Sequence, residues 1–178
     1  MPFSSLVQNR QPDQGYSLRG DGNDYSYLWN GQTPLEAYFL ADIILPIAPE
    51  LAEGLLRNYL AIQASDGSID WKPGLSGQRS RVNATPILAS LAWRIYEATE
   101  NIEFLKEVYH PLVKFLLSWF TPQHDRDGDG IPEWDNVLQS GFEDHPIYSH
   151  WHDWSLGLEI STAESPALCA SLYRECRT

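Results

Sequence analysis

The sequence predicts an all-α fold made of helical hairpins, and three observations lead there. Apolar residues recur at three- and four-residue spacing over several stretches of ten residues or more. Three of these stretches open with Ser or Thr followed by Pro: Thr33-Pro34, Thr85-Pro86 and Ser165-Pro166. The connections between them alternate short, long, short, long, as antiparallel helical neighbours require when their long loops share one end.

Residues 1–32 are polar, carry the turn cluster Asp21-Gly22-Asn23-Asp24, and read as an irregular N-terminal segment. The helical domain is expected over 33–178. Its first helix opens at Thr33, with Pro34 at the first helical position and Glu36 able to complete a capping box, and runs to Leu45. A second helix is expected from Pro49 to about Gln63, with Leu51, Leu55, Tyr59 and Ile62 on one stripe.

Residues 64–84 read as a long polar loop. Thr85-Pro86 is expected to open the third helix, through Leu88, Leu91 and Ile95 to Thr99. After a break at Glu100-Asn101 a fourth runs from Glu103 to Phe120, and Pro111 is expected to kink or split it. Residues 121–164 form a second, longer loop. Ser165-Pro166 opens a fifth helix that continues to the end without a C-terminal cap. Five such helices do not close a ring, so 33–178 reads as an incomplete domain, a fragment or a chain that depends on more protein.

The formal net charge is −12. That sign repels phosphate backbones and anionic lipid, which excludes nucleic acid and membrane surfaces as expected partners. No apolar run is long enough to span a bilayer, and Met1 to Arg10 contains no apolar signal core, so a cytoplasmic location is expected. Cys169 and Cys176 would stand about 10 Å apart along a helix, which predicts free thiols rather than a disulfide.

Loops longer than about 12–15 residues in a compact domain usually carry function. In the second loop, Asp125, Asp127 and Asp129 with Gly130 follow the first half of a calcium loop, and Glu133 stands where a further oxygen ligand could join. Asn136 occupies the position where a helix–loop–helix calcium site needs a bidentate Glu. The alternative is a Gly/Asp-rich turn that holds no metal. No cofactor is expected to be required, and calcium, if bound, would be structural.

The stretch Gln139 to Trp154 interleaves carboxylates with aromatic and imidazole rings. Glycoside hydrolysis needs a protonated carboxylic acid at the leaving oxygen and a second carboxylate as base or nucleophile. Apolar neighbours keep such an acid protonated. Glu143, next to Phe142, suits that role; the plainer reading is an exposed loop carboxylate.

Asp127-Gly128-Asp129-Gly130-Ile131-Pro132-Glu133-Trp134, followed by Gln139-Ser140-Gly141-Phe142-Glu143-Asp144-His145-Pro146, resembles the central stretch of the six-hairpin glycosidases. It is most like the mannosylglycerate hydrolase and oligosaccharide α-glucosidase group, glycoside hydrolase family 63. Pro49-Glu50-Leu51-Ala52 with Asp66-Gly67-Ser68-Ile69, Asn83-Ala84-Thr85-Pro86, and Ile95-Tyr96-Glu97-Ala98-Thr99 follow the family's order and spacing. The resemblance implies a partial (α/α)6 toroid and an inverting acid/base hydrolysis of α-linked gluco- or manno-configured glycosides. It assigns the general acid to Glu143, where the family has Asp, with Asp144 beside it as the alternative. Gln139 replaces the family's leading Glu. By the same resemblance Trp29, Asp70, Trp71, Arg79, Trp134 and Trp151 would border the sugar, an oligosaccharide or small glycoside. The family's second catalytic carboxylate lies in its C-terminal hairpins, so the chain alone is expected to have little activity, and the missing C-terminal part is an expected partner.

Two other readings compete. A non-catalytic helical-hairpin scaffold or carbohydrate-binding module predicts that Glu143 and the Trp-rich loop do not converge. A prenyltransferase- or cyclase-type toroid needs zinc ligands or an aspartate-rich diphosphate site, and the Cys and His spacing supplies no zinc set.

Overall fold

Five α-helices form among the described residues of the computed structural model, which describes residues 32–73, 82–141 and 160–178. They are α1 (Pro34–Ile44), α2 (Pro49–Ala61), α3 (Leu88–Thr99), α4 (Ile102–Ser118) and α5 (Pro166–Arg177). The fold is all-α, as the periodicity predicts, and no strand forms among the described residues.

α1 begins as its sequence dictates. The Glu36 amide donates to Thr33 Oγ1 at 3.2 Å and the Thr33 amide donates to Glu36 Oε2 at 2.8 Å, closing the capping box. Asn101 caps α4 by accepting from the Phe104 amide at 3.1 Å. Ser165 caps α5. Glu100 ends α3 in the left-handed region, at φ 53°, and the chain reverses there into α4.

One helix start shifts, and one break does not occur. α3 starts at Leu88, not at Thr85-Pro86, because the Thr85 hydroxyl is committed elsewhere: it donates to the Gln139 carbonyl at 2.7 Å. Pro111 does not split α4, which runs through it as one 17-residue helix. A mid-helix proline costs about 3 kcal/mol. Burying Phe104, Val108, Leu112 and Phe115 on the same helix stabilises by about 1.5–3 kcal/mol per side chain, so packing wins.

Each helix meets the next in sequence and the one after that. α1, α3 and α5 therefore form one row, and α2 and α4 a second row behind it. The core lies between the rows: Leu55, Leu56 and Tyr59 of α2, Leu88, Leu91 and Ile95 of α3, Phe104, Val108 and Phe115 of α4, and Leu168 and Leu172 of α5. Ala37, Ala41, Ala52 and Ala92 keep the helices close. Arg57 ties α2 to α4 through Glu107, at 2.8 Å, while also meeting Glu53 on its own helix.

Candidate functional site

The two long loops meet at one end of the helices, as their alternation predicts. The first loop folds back on itself: Asp70 and Asn83 form an antiparallel bridge, the Trp71 amide donates to Val82 O and the Ala84 amide to Ile69 O. It opens, just after α2, with a tight turn in which Ser68 donates to Asp66 through both its amide and its hydroxyl. Bonds from the second loop then seize Asn83. Its amide donates to Asp135 Oδ2 at 3.4 Å, and its carbonyl accepts from Gln139 Nε2 at 2.6 Å. Its own side chain reaches Ser118 at the end of α4, at 3.1 Å.

Asp135 is the hub of this junction. It accepts from His124 Nδ1 at 2.8 Å, from Arg126 at 3.0 Å and from Gln139 Nε2 at 3.0 Å. Burial opposes its ionisation, but the bonds from His124, Gln139 and the Asn83 amide outweigh burial and hold the carboxyl below its ordinary range. His124 is buried against the Trp119 ring, with centroids 4.7 Å apart, and Trp119 in turn meets Trp134 edge-on at 5.7 Å.

A cavity of about 320 Å³ opens beside this hub. Asp66, Asp70, Asn83, Ser118, Thr121 and His124 are among its lining residues. Carboxylates, hydroxyls and an imidazole at that density suit a ligand rich in hydroxyl groups.

From the hub the second loop passes over the starts of the front-row helices. Gly141 adopts φ +73°, and a Cβ there would lie 3.0 Å from the Leu35 side chain in the first turn of α1. The Gln139 carbonyl holds Thr85 just ahead of α3. The stem Gln139-Ser140-Gly141 thus stands above the N-terminal ends of α1 and α3, two residues before Glu143.

Not every candidate residue falls where it can be judged. Trp29, Arg79, Glu143, Asp144 and Trp151 lie outside the described residues. Asp70 lines the cavity. Trp71 is 6% exposed and Trp134 2%, so both rings are enclosed in this arrangement rather than laid open as stacking platforms.

Asp125, Asp127 and Asp129 do converge, each offering a carboxylate oxygen within 4.8 Å of the others. Asp125 Oδ1 is fully enclosed without a hydrogen-bond partner, an arrangement that fits a hard cation. Glu133 does not join them. It turns inward, buried, and accepts from the Arg126 amide at 3.1 Å, with the Arg126 guanidinium 3.4 Å away. That pairing holds it apart from the three aspartates. Glu164 comes alongside instead, bridged through its backbone to Glu133. Asp129 foremost, then Asp127 and Glu133, push the Glu164 carboxyl above its ordinary value.

Asn83, His124, Asp135, Gln139 and Glu164 are absent from the site expected from sequence. The available signals were the Asn83-Ala84-Thr85-Pro86 motif and Gln139 at the head of the Gln139-Ser140-Gly141 run. Neither names its partner across the loops.

The model of the family described as mannosylglycerate hydrolase MGH1-like glycoside hydrolase domain matches residues 23–170. No curated protein and no solved structure matches the chain.

Proposed function

This chain belongs to the MGH1-like glycoside hydrolase family, and from that premise we propose that it takes part in inverting hydrolysis of α-linked gluco- or manno-configured glycosides. Glu143 is the general acid in this reading, protonating the departing glycosidic oxygen, with Asp144 as the alternative. The observation that carries it is the placing of the stem: Gln139 to Gly141 is held over the starts of α1 and α3, beside a polar cavity, and the chain reaches Glu143 two residues later.

The two-row arrangement is consistent with a section of an (α/α)6 toroid, in which the front row would face the axis. Sugar hydroxyls would be taken by Asp70 and its neighbours in the cavity, with Trp29, Arg79 and Trp151 as further contacts. Inversion requires a second carboxylate roughly 6.5–9.5 Å from the acid, with the attacking water between them. One carboxyl cannot serve as both acid and base, so Glu143 acting alone would leave the chain with little or no activity, and the base would come from the enzyme's C-terminal part. The substrate is an oligosaccharide or small glycoside. The net charge of −12 disfavours nucleic acid and membrane surfaces as partners. No described helix is long and apolar enough to cross a membrane, and the two cysteines are free, which suits a reducing compartment such as the cytoplasm.

Asp125, Asp127 and Asp129 would hold a structural calcium, which would stiffen the second loop and take no part in bond cleavage. A non-catalytic carbohydrate-binding module is the second reading, favoured by the polar cavity alone. Product release from mannosylglycerate and α-glucosides, compared with Glu143→Gln, separates the two. Hydrolysis lost in the variant with sugar binding retained supports the hydrolase; binding with no hydrolysis by the protein encoded by the open reading frame that contains the chain supports the module.

A further inference from the structure

Gln139 is 1% exposed, and its side-chain amide spends all of its hydrogen-bonding capacity. Oε1 accepts from the amides of Asp135 and Asn136, at 2.7 and 2.9 Å. Nε2 donates to Asn83 O at 2.6 Å and to Asp135 Oδ2 at 3.0 Å. The Gln139 carbonyl accepts from the Thr85 hydroxyl. One residue thereby joins the first loop, the lead-in to α3 and the second loop.

The slot also selects the chemistry of its occupant. Two donors point at Oε1, while a carbonyl and a carboxylate face Nε2. That carboxylate, Asp135, carries His124 and Arg126 on its other oxygen. An ionised carboxyl in place of the amide would set one oxygen against two acceptors, without a proton to share.

We infer that Gln139 is a positioning residue: only a group that donates on one side and accepts on the other fits between Asn83 and Asp135, and that fit fixes the Ser140-Gly141 stem from which the chain runs to Glu143. Its role in catalysis rests on the hydrolase reading above; its role as a latch between the loops does not. A carboxyl at this position would need its proton, and would then donate to only one of the two acceptors. With the amide, the latch holds whether or not protons are abundant.

Gln139→Glu and Gln139→Ala in the full chain test this. Hydrogen–deuterium exchange of the 135–141 segment is measured near pH 7 and at about pH 4.5, each against the unsubstituted chain at the same pH. A buried carboxyl beside an ionised one keeps its proton to a higher pH than in the unfolded chain. The Gln139→Glu latch is therefore partly restored at low pH, with one donated bond in place of two, and lost as pH rises through the raised value. Its exchange should be at least about tenfold faster than the parent's near pH 7 and return towards the parent's at the lower pH, whereas Gln139→Ala stays fast at both.

Parent-like exchange of Gln139→Glu near pH 7, or no recovery on acidification, overturns the latch. Should both variants fail to fold, Thr85→Val, which removes only the bond to the Gln139 carbonyl, must still speed exchange at 139–141 at both pH values; unchanged exchange there overturns the inference. In hydrolysis of an α-glycoside, the Gln139→Glu defect should fall on kcat with KM within about twofold, and should recover with the same pH dependence. If the protein encoded by the open reading frame that contains the chain cleaves no glycoside, the hydrolase reading fails while the exchange result still decides the latch.

Discussion

The Asp135 carboxylate stands 2.8 Å from Nδ1 of His124, and this pair closes the turn that carries the three clustered aspartates back onto the junction of the two loops. Because His124, Gln139 and the Asn83 amide hold Asp135 below its ordinary range against the effect of burial, its folded-state value lies below its unfolded one. Its contribution to stability is complete above about pH 4 and drains away as pH falls through the lowered value. Asp135→Asn should cost about 1–3 kcal/mol near neutrality. It should also flatten the acid limb of a plot of unfolding free energy against pH. An acid limb unchanged in the variant would show that the carboxylate does not hold the junction.

Glu175 behaves in the opposite sense. It lies on α5, buried, and accepts from the Ala89 and Ser90 amides and the Ser90 hydroxyl, so it caps α3 from 86 residues away. Burial pushes its carboxyl up, against the pull of those bonds. Its folded value exceeds the unfolded one, so its contribution is complete below about pH 4.3 and is lost as pH rises through the raised value. Glu175→Ala should cost about 1–3 kcal/mol by leaving buried amides unpaired. Glu175→Gln should remove the decline in stability between mildly acidic and neutral pH, measured by urea unfolding across that range.

These two residues show what the sequence could and could not convey. Thr33-Pro34 and Thr85-Pro86 carry the same local helix-start signal. The first is obeyed because Glu36, three residues on, completes the cap; the second is not, because Gln139 holds Thr85 and Glu175 caps α3 in its place. Helix number, apolar faces and the shared end of the long loops follow from spacing, which is local. The Asn83–Asp135–Gln139 junction depends on pairings across more than fifty residues, which no periodicity encodes. Glu133 stands apart from the three clustered aspartates for a similar reason: its spacing fits a ligand, but Arg126 draws it inward.

Gly67 and Gly128 both have positive φ, +98° and +78°, but differ in their surroundings. A Cβ on Gly67 would lie 2.4 Å from the Lys114 backbone carbonyl on α4, while one on Gly128 meets nothing within 4 Å. Gly128→Ala should cost about 1 kcal/mol, from backbone conformation alone. Gly67→Ala should cost more than about 2 kcal/mol, because α4 cannot yield without disturbing its core face. Equal urea midpoints for the two variants would contradict the close approach of the first loop to α4.

The aspartate cluster makes a prediction about ligand addition. Calcium at about a hundredfold excess over its dissociation constant should stabilise the chain by about 2.7 kcal/mol, read as a rise in Tm. Asp127→Asn should remove most of that rise, while Glu133→Gln, though destabilising in itself, should leave it in place. A rise abolished equally by both substitutions would return Glu133 to the ligand set. No rise in the unsubstituted chain would leave the turn without a metal.

The most direct test of the account is the rate of sugar release from α-glucosides and mannosylglycerate by Glu143→Gln, measured on the protein encoded by the open reading frame that contains the chain. The account predicts a fall in kcat of at least about a hundredfold, with KM little changed, because general acid catalysis supplies about 10²–10⁴-fold. Full activity in the variant would contradict the assignment of Glu143 as the proton donor.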